Sequence, residues 1–294
     1  MNVMMMAMAL QNLTRAQACA SRIKEVLDTE PSVRDGSMEP SSLPTPAGEV
    51  EFEDVSFKYV ASGTGDNVLS HISFTIRPGQ FTAIVGGTGT GKSSLVNLIP
   101  RFYDVTGGRV LVDGRDVRDY ALEDLRARIG MVLQSNILFS GTIRENLLWG
   151  KPDATEEELV QAARDAQAYD FIMSFPEGFD TMLEQGGVNV SGGQKQRLCI
   201  ARAMLRRPSI LILDDSTSAV DSATEAAIRA SFARSLKHTT VIIIAQRISS
   251  VRYADQIMVL DDDHIAASGT HEELLASCSI YQEIYRSQQE GVAQ

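Results

Sequence analysis

Long apolar runs are missing from this chain. No stretch reaches the ~18–20 consecutive apolar residues that a membrane-spanning helix needs. The greasiest segment is Met1–Leu10, M-N-V-M-M-M-A-M-A-L. It has neither a basic leading region nor a small-residue cleavage site, which argues against a secretory signal. Cysteine is scarce: Cys19, Cys199 and Cys278 form no C-x-x-C pair. That argues against a disulfide framework and a structural zinc site, and it fits a reducing compartment. Basic charge is also short, with 27 Lys+Arg against 38 Asp+Glu and a net charge of −11. Broad nucleic-acid binding needs the opposite excess, so no nucleic-acid partner is expected. The four histidines, His71, His238, His264 and His271, have no ligand spacing. No repeat or low-complexity tract is visible. What is present, 294 residues with 44% hydrophobic and 22% charged, is the profile of a soluble globular protein with one large or two small domains.

The first 29 residues carry Met, Val, Ala and Leu at helical spacing, and residues 2–29 are expected to form one helix. The tract Pro31–Gly48 holds four prolines with Ser, Thr and Gly, a linker composition. From Val50 the pattern changes. Val50–Phe57 alternates apolar and polar residues, as a half-buried strand does. His71–Ile76 is another such strand. Phe81–Val85, Gly130–Leu133, Ile210–Leu213, Val241–Ala245 and Gln256–Leu260 are short apolar runs separated by helix-forming stretches. That alternation predicts an α/β core with a buried, mainly parallel sheet. Residues 135–205 read as a helical insertion.

Strand Phe81–Val85 runs into Gly86-Gly87-Thr88-Gly89-Thr90-Gly91-Lys92-Ser93-Ser94. Gly86 to Ser93 fits G-x-x-x-x-G-K-[ST], the phosphate-binding loop. Polyphosphate needs many N–H donors converging on it, and glycine lets a backbone wrap that closely. Lys92 is expected to contact the β- and γ-phosphates, and the Ser93 hydroxyl to ligate Mg²⁺. A helix, Ser94–Phe102, is expected to follow. A carboxylate at the end of a neighbouring buried strand should complete the metal site. Ile210-Leu-Ile-Leu-Asp214-Asp215 supplies Asp214 for Mg²⁺, with Asp215 next to the γ-phosphate.

Val190-Ser191-Gly192-Gly193-Gln194-Lys195-Gln196-Arg197, 99 residues after Lys92 and 23 before Asp214 at its Ser191, resembles the Leu-Ser-Gly-Gly-Gln signature of ATP-binding cassette (ABC) proteins. The resemblance covers about Val50 to Arg286. It implies a P-loop NTPase core, an antiparallel β subdomain and a helical subdomain at about 135–205, with 287–294 as a C-terminal tail. With this extra N-terminal helix the chain resembles the C-terminal part of an ABC exporter half-transporter, a family in which the membrane domain is fused in front. Residues 1–30 would then be the cytoplasmic end of the last transmembrane helix and 31–49 a linker, on the cytoplasmic face of the membrane. Position by position, Tyr59 matches the aromatic that stacks on adenine, and Gln134 in Met131-Val-Leu-Gln matches the glutamine that reaches Mg²⁺ and the attacking water. Glu184-Gln-Gly-Gly187 is a partial match to a loop that touches the membrane domain. Ser218-Ala-Val-Asp221 matches the loop that crosses to the partner. In this family Ser191, Gly192, Gly193 and Gln194 of one chain face the γ-phosphate held by the other, so two chains sandwich two ATP molecules.

Two positions depart from the pattern. The family usually has a general-base Glu after the Walker B aspartate, where this chain has Asp215. Its switch loop usually reads Ile-Ala-His-Arg, where this chain has Ile244-Ala245-Gln246-Arg247. Gln can donate a hydrogen bond but cannot carry a proton or a positive charge. Both departures beside an intact cradle and signature resemble the weak-site chain of a heterodimeric exporter. On that reading Asp215, Gln246 and Gln134 are the catalytic set of a slow site, and Ser191–Gln194 complete the partner's competent one. The alternatives are a homodimer active at its own site and a soluble ABC protein outside transport. Cargo would be chosen by membrane helices and is not legible here.

Overall fold

The alternating apolar runs form strands, and their order positions everything else. The structure, a computed structural model, describes residues 2–38, 42–59, 65–215 and 219–290. The chain divides into two units, Met1–Arg34 and Asp35–Gln294. The first is helix α1 (Asn2–Leu27), 26 residues without a buried side chain. Lys24 lies in its last turn, where a cation complements the helix dipole. Among the described residues, no helix is long and apolar enough to cross a membrane.

The second unit holds two main sheets. An antiparallel one has β1 (Val50–Phe57) between β2 (Leu69–Ile76) and β4 (Gly107–Val112), with the short β5 (Arg115–Asp116) beyond β4. The other is six-stranded and mainly parallel. It contains β3 (Phe81–Gly86), β6 (Ile129–Val132), β9 (Ile210–Asp214), β10 (Thr240–Ile244), β11 (Gln256–Asp261) and β12 (His264–Gly269) in the order β12-β11-β3-β10-β9-β6. Only β12 runs antiparallel to its neighbour.

The solid apolar runs follow from burial on both faces. Ile210, Ile212, Ile242 and Ile244 join one core with Phe52, Val110 and Leu95. Their alternates Leu211, Leu213, Val241 and Ile243 join a second core with helical residues such as Leu147, Leu159 and Leu198. The first core holds the antiparallel sheet, α2 (Lys92–Leu98) and α3 (Leu122–Ala127) to the parallel sheet. α2 stops short of the expected Phe102 because Pro100 has no N–H to continue the ladder.

The second core carries α4 (Ile143–Leu148), α5 (Glu156–Asp165), α6 (Tyr169–Ser174), α7 (Gly192–Leu205) and α8 (Ser222–Ser235). Within the stretch read as helical there is also a small ribbon, β7 (Gly141–Thr142) against β8 (Met182–Leu183). Reciprocal capping boxes open α4 at Thr142/Glu145 and α5 at Thr155/Glu158. Beyond β10 come the four-residue α9 (Ile248–Val251), then α10 (His271–Ser277) and α11 (Ser279–Glu290). α11 runs past residue 286, where a tail was expected to begin.

Candidate active site

Four parallel strands deliver their C-terminal ends to one edge: β3 ends at Gly86, β9 at Asp214, β10 at Ile244 and β6 at Val132, two residues before Gln134. In a parallel sheet this edge is the usual ligand crevice. At the end of β3 the backbone turns sharply, with φ 154° at Gly86, where any Cβ would strike the Leu260 carbonyl oxygen. Gly91 caps α2 in the left-handed region at φ 80°, without a side-chain cap. A Cβ there would lie 2.8 Å from the Val68 carbonyl oxygen. Between these positions Gly87, Thr88, Gly89 and Thr90 form the loop, and Thr90 Oγ1 donates to the Gly87 carbonyl at 3.0 Å.

Lys92 folds back over this loop. Its Nζ donates to the Gly86 carbonyl at 3.0 Å, to the Gly87 carbonyl and to Thr90 Oγ1 at 3.3 Å. Burial pulls its pKa below the ordinary lysine value, against the opposing pull of Asp214 and Asp215. Ser93 Oγ donates to Asp214 Oδ1 at 3.2 Å. Asp214 is buried, and burial raises its pKa, with Ser93 opposing and Asp215 assisting. Next to Ser93, Ser94 Oγ is 2.9 Å from the Tyr59 hydroxyl. Tyr59 lies edge-on to Phe57 and Tyr103, with ring centroids 4.8 and 5.1 Å away.

The three residues expected to be catalytic meet at one atom. Asp215 Oδ2 accepts from Gln246 Nε2 at 2.7 Å and from Gln134 Nε2 at 3.5 Å. Asp215 has a left-handed backbone, φ 47°, a conformation Asp tolerates better than most residues. Its N–H donates to the Ile244 carbonyl at 3.0 Å, which ties the end of β9 to that of β10. Burial raises its pKa, while Gln134, Arg247 and Gln246 pull the other way.

The signature lies in the helical layer. Ser191 caps α7: its Oγ accepts from the Gln194 N–H at 3.3 Å, and Gln194 Oε1 accepts from the Ser191 N–H at 2.8 Å. Ser191 and Gln194 thus form a capping box. Gly192 and Gly193 approach Ala219 so closely that a Cβ on Gly193 would lie 2.9 Å from the Ala219 carbonyl oxygen. The Ala219 N–H donates to Gln196 Oε1 at 3.0 Å. Asp221 caps α8, accepting from the Thr224 N–H at 2.9 Å and hydroxyl at 2.7 Å. Ser218 lies outside the described residues. Glu184 precedes a short turn, Gln185–Gly187, with its N–H on Asn189 Oδ1 at 3.1 Å.

Sequence reasoning did not assign Phe57, Tyr103 or Arg247. The first two are ordinary aromatics until folding sets them around Tyr59. Arg247 stood beside Gln246 in the quoted switch run, and its charge pulls the Asp215 pKa down.

Residues 69–218 match the family described as ABC transporter. In Bacillus subtilis (strain 168), the uncharacterised ABC transporter ATP-binding protein YfiB is 46% identical over 275 residues, 94% of this chain and 47% of that protein. In the same organism, the putative multidrug export ATP-binding/permease protein YgaD is 48% identical over 241 residues, 82% of this chain and 41% of that protein. A solved bacterial Atm1-family ABC exporter with ATP bound superposes with a TM-score of 0.87 at 35% identity, over 96% of this chain and 48% of that one. The chain thus spans less than half the length of these relatives. With its cradle, paired aspartates and signature on this α/β fold, the chain belongs to the ABC transporter family and carries its ATP-binding domain.

Proposed function

We propose that this chain is the ATP-binding part of an ABC exporter subunit, which binds Mg-ATP, pairs with a second chain around the nucleotide, and turns over slowly at its own site. The Gly86–Gly91 loop and Lys92 hold the phosphates, and Tyr59 stacks on adenine. Ser93 and Asp214 offer hard oxygen donors that suit Mg²⁺. Mg²⁺ usually keeps several waters and takes further ligands from substrate phosphates, so two protein donors suffice. Bound there, Mg²⁺ would neutralise charge on the transferring phosphoryl group.

The observation that carries the slow-site reading is the contact between the two unusual residues. Asp215 Oδ2 accepts the Gln246 amide at 2.7 Å. A base must offer a lone pair to the attacking water, and here the switch residue hydrogen-bonds one of the two carboxylate oxygens and competes for it. Burial makes Asp215 more basic than an ordinary carboxylate, so its weakness is one of reach and engagement. Gln246 has no titratable group, so no pH change loosens the pair from its side. Ser191–Gln194 keep the geometry of an anion-facing helix start and serve the partner's site.

The relatives named for multidrug export and permease function support a membrane domain fused ahead of this one. Residues 1–30 are then the cytoplasmic end of its last helix, and 31–49 the linker. Calorimetry tests the ATP site. The chain should bind Mg-ATP, and Lys92→Ala should weaken binding by about 10–100-fold, the worth of a charge-assisted contact. Equal affinity would show that the cradle is misassigned.

A further inference from the structure

We infer that Gln288 is a positioning residue for the switch loop, holding Gln246 from the end of the C-terminal helix. This deepens the reading of the cradle as an ATP site. Residues 245–247 join β10 to α9. α9 has four residues, and its N-cap, Arg247, makes no side-chain cap hydrogen bond. Arginine has no acceptor, so the first N–H groups of α9 need a partner from elsewhere. Gln288 provides one: its Oε1 accepts from the Ile248 N–H at 2.8 Å. From the same amide, Nε2 donates to the Gln246 carbonyl at 2.6 Å. The side chain therefore pins the peptide planes on both sides of Arg247, as a neighbouring strand would.

The arrangement is specific to glutamine, whose amide has a donor end and an acceptor end. Glutamate of the same length keeps only the acceptor. The clamp is also built on firm ground. Tyr281 of α11 is fully buried, and its hydroxyl is 2.8 Å from His271 Nδ1. Ile284 and Tyr285, on the same helix, pack against the second core. Gln282 Nε2 donates to the Leu275 carbonyl at 2.7 Å. By contrast, the switch loop borders a cleft of about 700 Å³ lined by Gln246, Arg247, Arg252, His271 and Gln288 among others. Its backbone has room to move once released. Gln246 Nε2 meets Asp215 Oδ2 at 2.7 Å, and a shift of about 1 Å in the peptide carrying it would break that geometry.

The test compares ATP with ADP, because on the proposed ATP-site reading the switch residue faces the γ-phosphate, which ADP lacks. Calorimetry on the full chain with Mg²⁺ measures both affinities in the starting chain, Gln288→Ala, Gln288→Glu and Lys92→Ala. Loss of the clamp should lower the ATP:ADP affinity ratio about three- to tenfold in Gln288→Ala, the worth of one hydrogen bond. Gln288→Glu should fall at least as far, since a carboxylate then faces the Gln246 carbonyl. An unchanged ratio overturns the inference, as does an equal loss for both nucleotides or a lowered Tm alone. Each of those marks a merely structural role. Should Gln288→Ala fail to fold, Gln288→Glu decides by the same ratio. Should Lys92→Ala bind like the starting chain, the ATP-site reading falls first, and the clamp's role falls with it.

Discussion

On the proposed slow-site reading, the contact between Asp215 and Gln246 predicts which substitutions raise turnover. Asp215→Glu extends the carboxylate by one methylene, about 1.5 Å. A positioned general base contributes ~10²–10⁴-fold, and a misplacement near 1 Å removes ~10² of it. Yet the longer carboxylate still lies beside the Gln246 amide, which holds Asp215 Oδ2 at 2.7 Å in the starting chain. Alone, the change should therefore gain about tenfold at most. Gln246→His alone replaces the amide with a donor that can be cationic, but leaves the base short, so its gain should also be small. Groups in direct contact couple by about 0.5–3 kcal/mol. The double variant should exceed the product of the single gains by about 2–150-fold.

The assay is phosphate release from an assembled pair whose other site is silenced and whose partner signature is intact. A second readout comes from charge. Gln246 does not titrate, whereas histidine has an ordinary pKa of about 6.5. The double variant should therefore gain a rate limb in that range that the starting chain lacks. If the double variant is no faster than the starting chain, or the gains simply multiply, the coupled-pair explanation of slow turnover is refuted.

Ser191→Asp should keep Tm within about 1 °C, because Asp caps as well as Ser. It should still abolish ATPase at the partner's site, where a carboxylate would meet a γ-phosphate; unchanged ATPase of the assembled pair would remove Ser191 from that role. Gly91→Ala should cost about 2–3 kcal/mol in chemical denaturation, since a left-handed alanine costs 1–2 kcal/mol before the contact with the Val68 carbonyl is counted; equal stability would contradict the left-handed cap at φ 80°. Asp214→Asn should raise the Tm of the nucleotide-free chain at pH 7. Burial lifts the folded-state pKa of Asp214, so its favourable contribution is complete below the unfolded value of about 4 and is lost as pH rises through the folded one. The gain from Asn should therefore shrink as pH is lowered towards 4, and a gain independent of pH would refute the buried-charge explanation.

How far the sequence is legible depends on whether a signal is local. The cradle is local: a strand, a glycine loop and a helix within one run, so Gly86–Ser93 reads directly. Buried parallel strands are local too, because both faces are covered and the run is continuous, as at Ile210–Leu213. β4 and β12 were not anticipated. β4 opens on Gly107 and Gly108, and Gly108 sits at φ 72°, where any Cβ would strike the Asp54 carbonyl oxygen. β12 is a half-exposed edge whose His-Ile-Ala-Ala-Ser-Gly carries little apolar contrast. Gln288 was beyond reach for another reason. Its partner Gln246 is 42 residues away, and a glutamine near a chain end has no pattern that announces a clamp.

Strand order explains why two unusual residues 31 positions apart behave as one feature. β9 and β10 are parallel neighbours, and Asp214 pairs in register with Ile244. Asp215 is therefore one residue past a paired position and Gln246 two, on adjacent strands at the same edge. The Asp215 N–H on the Ile244 carbonyl fixes their spacing. A change at either residue alters the hydrogen bonding of the other, so neither departure has an independent effect. A shortened base can lose its water and gain a glutamine amide in the same step. A histidine at the switch position would bring a cationic form beside a carboxylate whose pKa burial already raises. It would draw that proton affinity down and change the base as well as the phosphate contact. On the proposed slow-site reading, weak catalysis at this edge is a property of the pair.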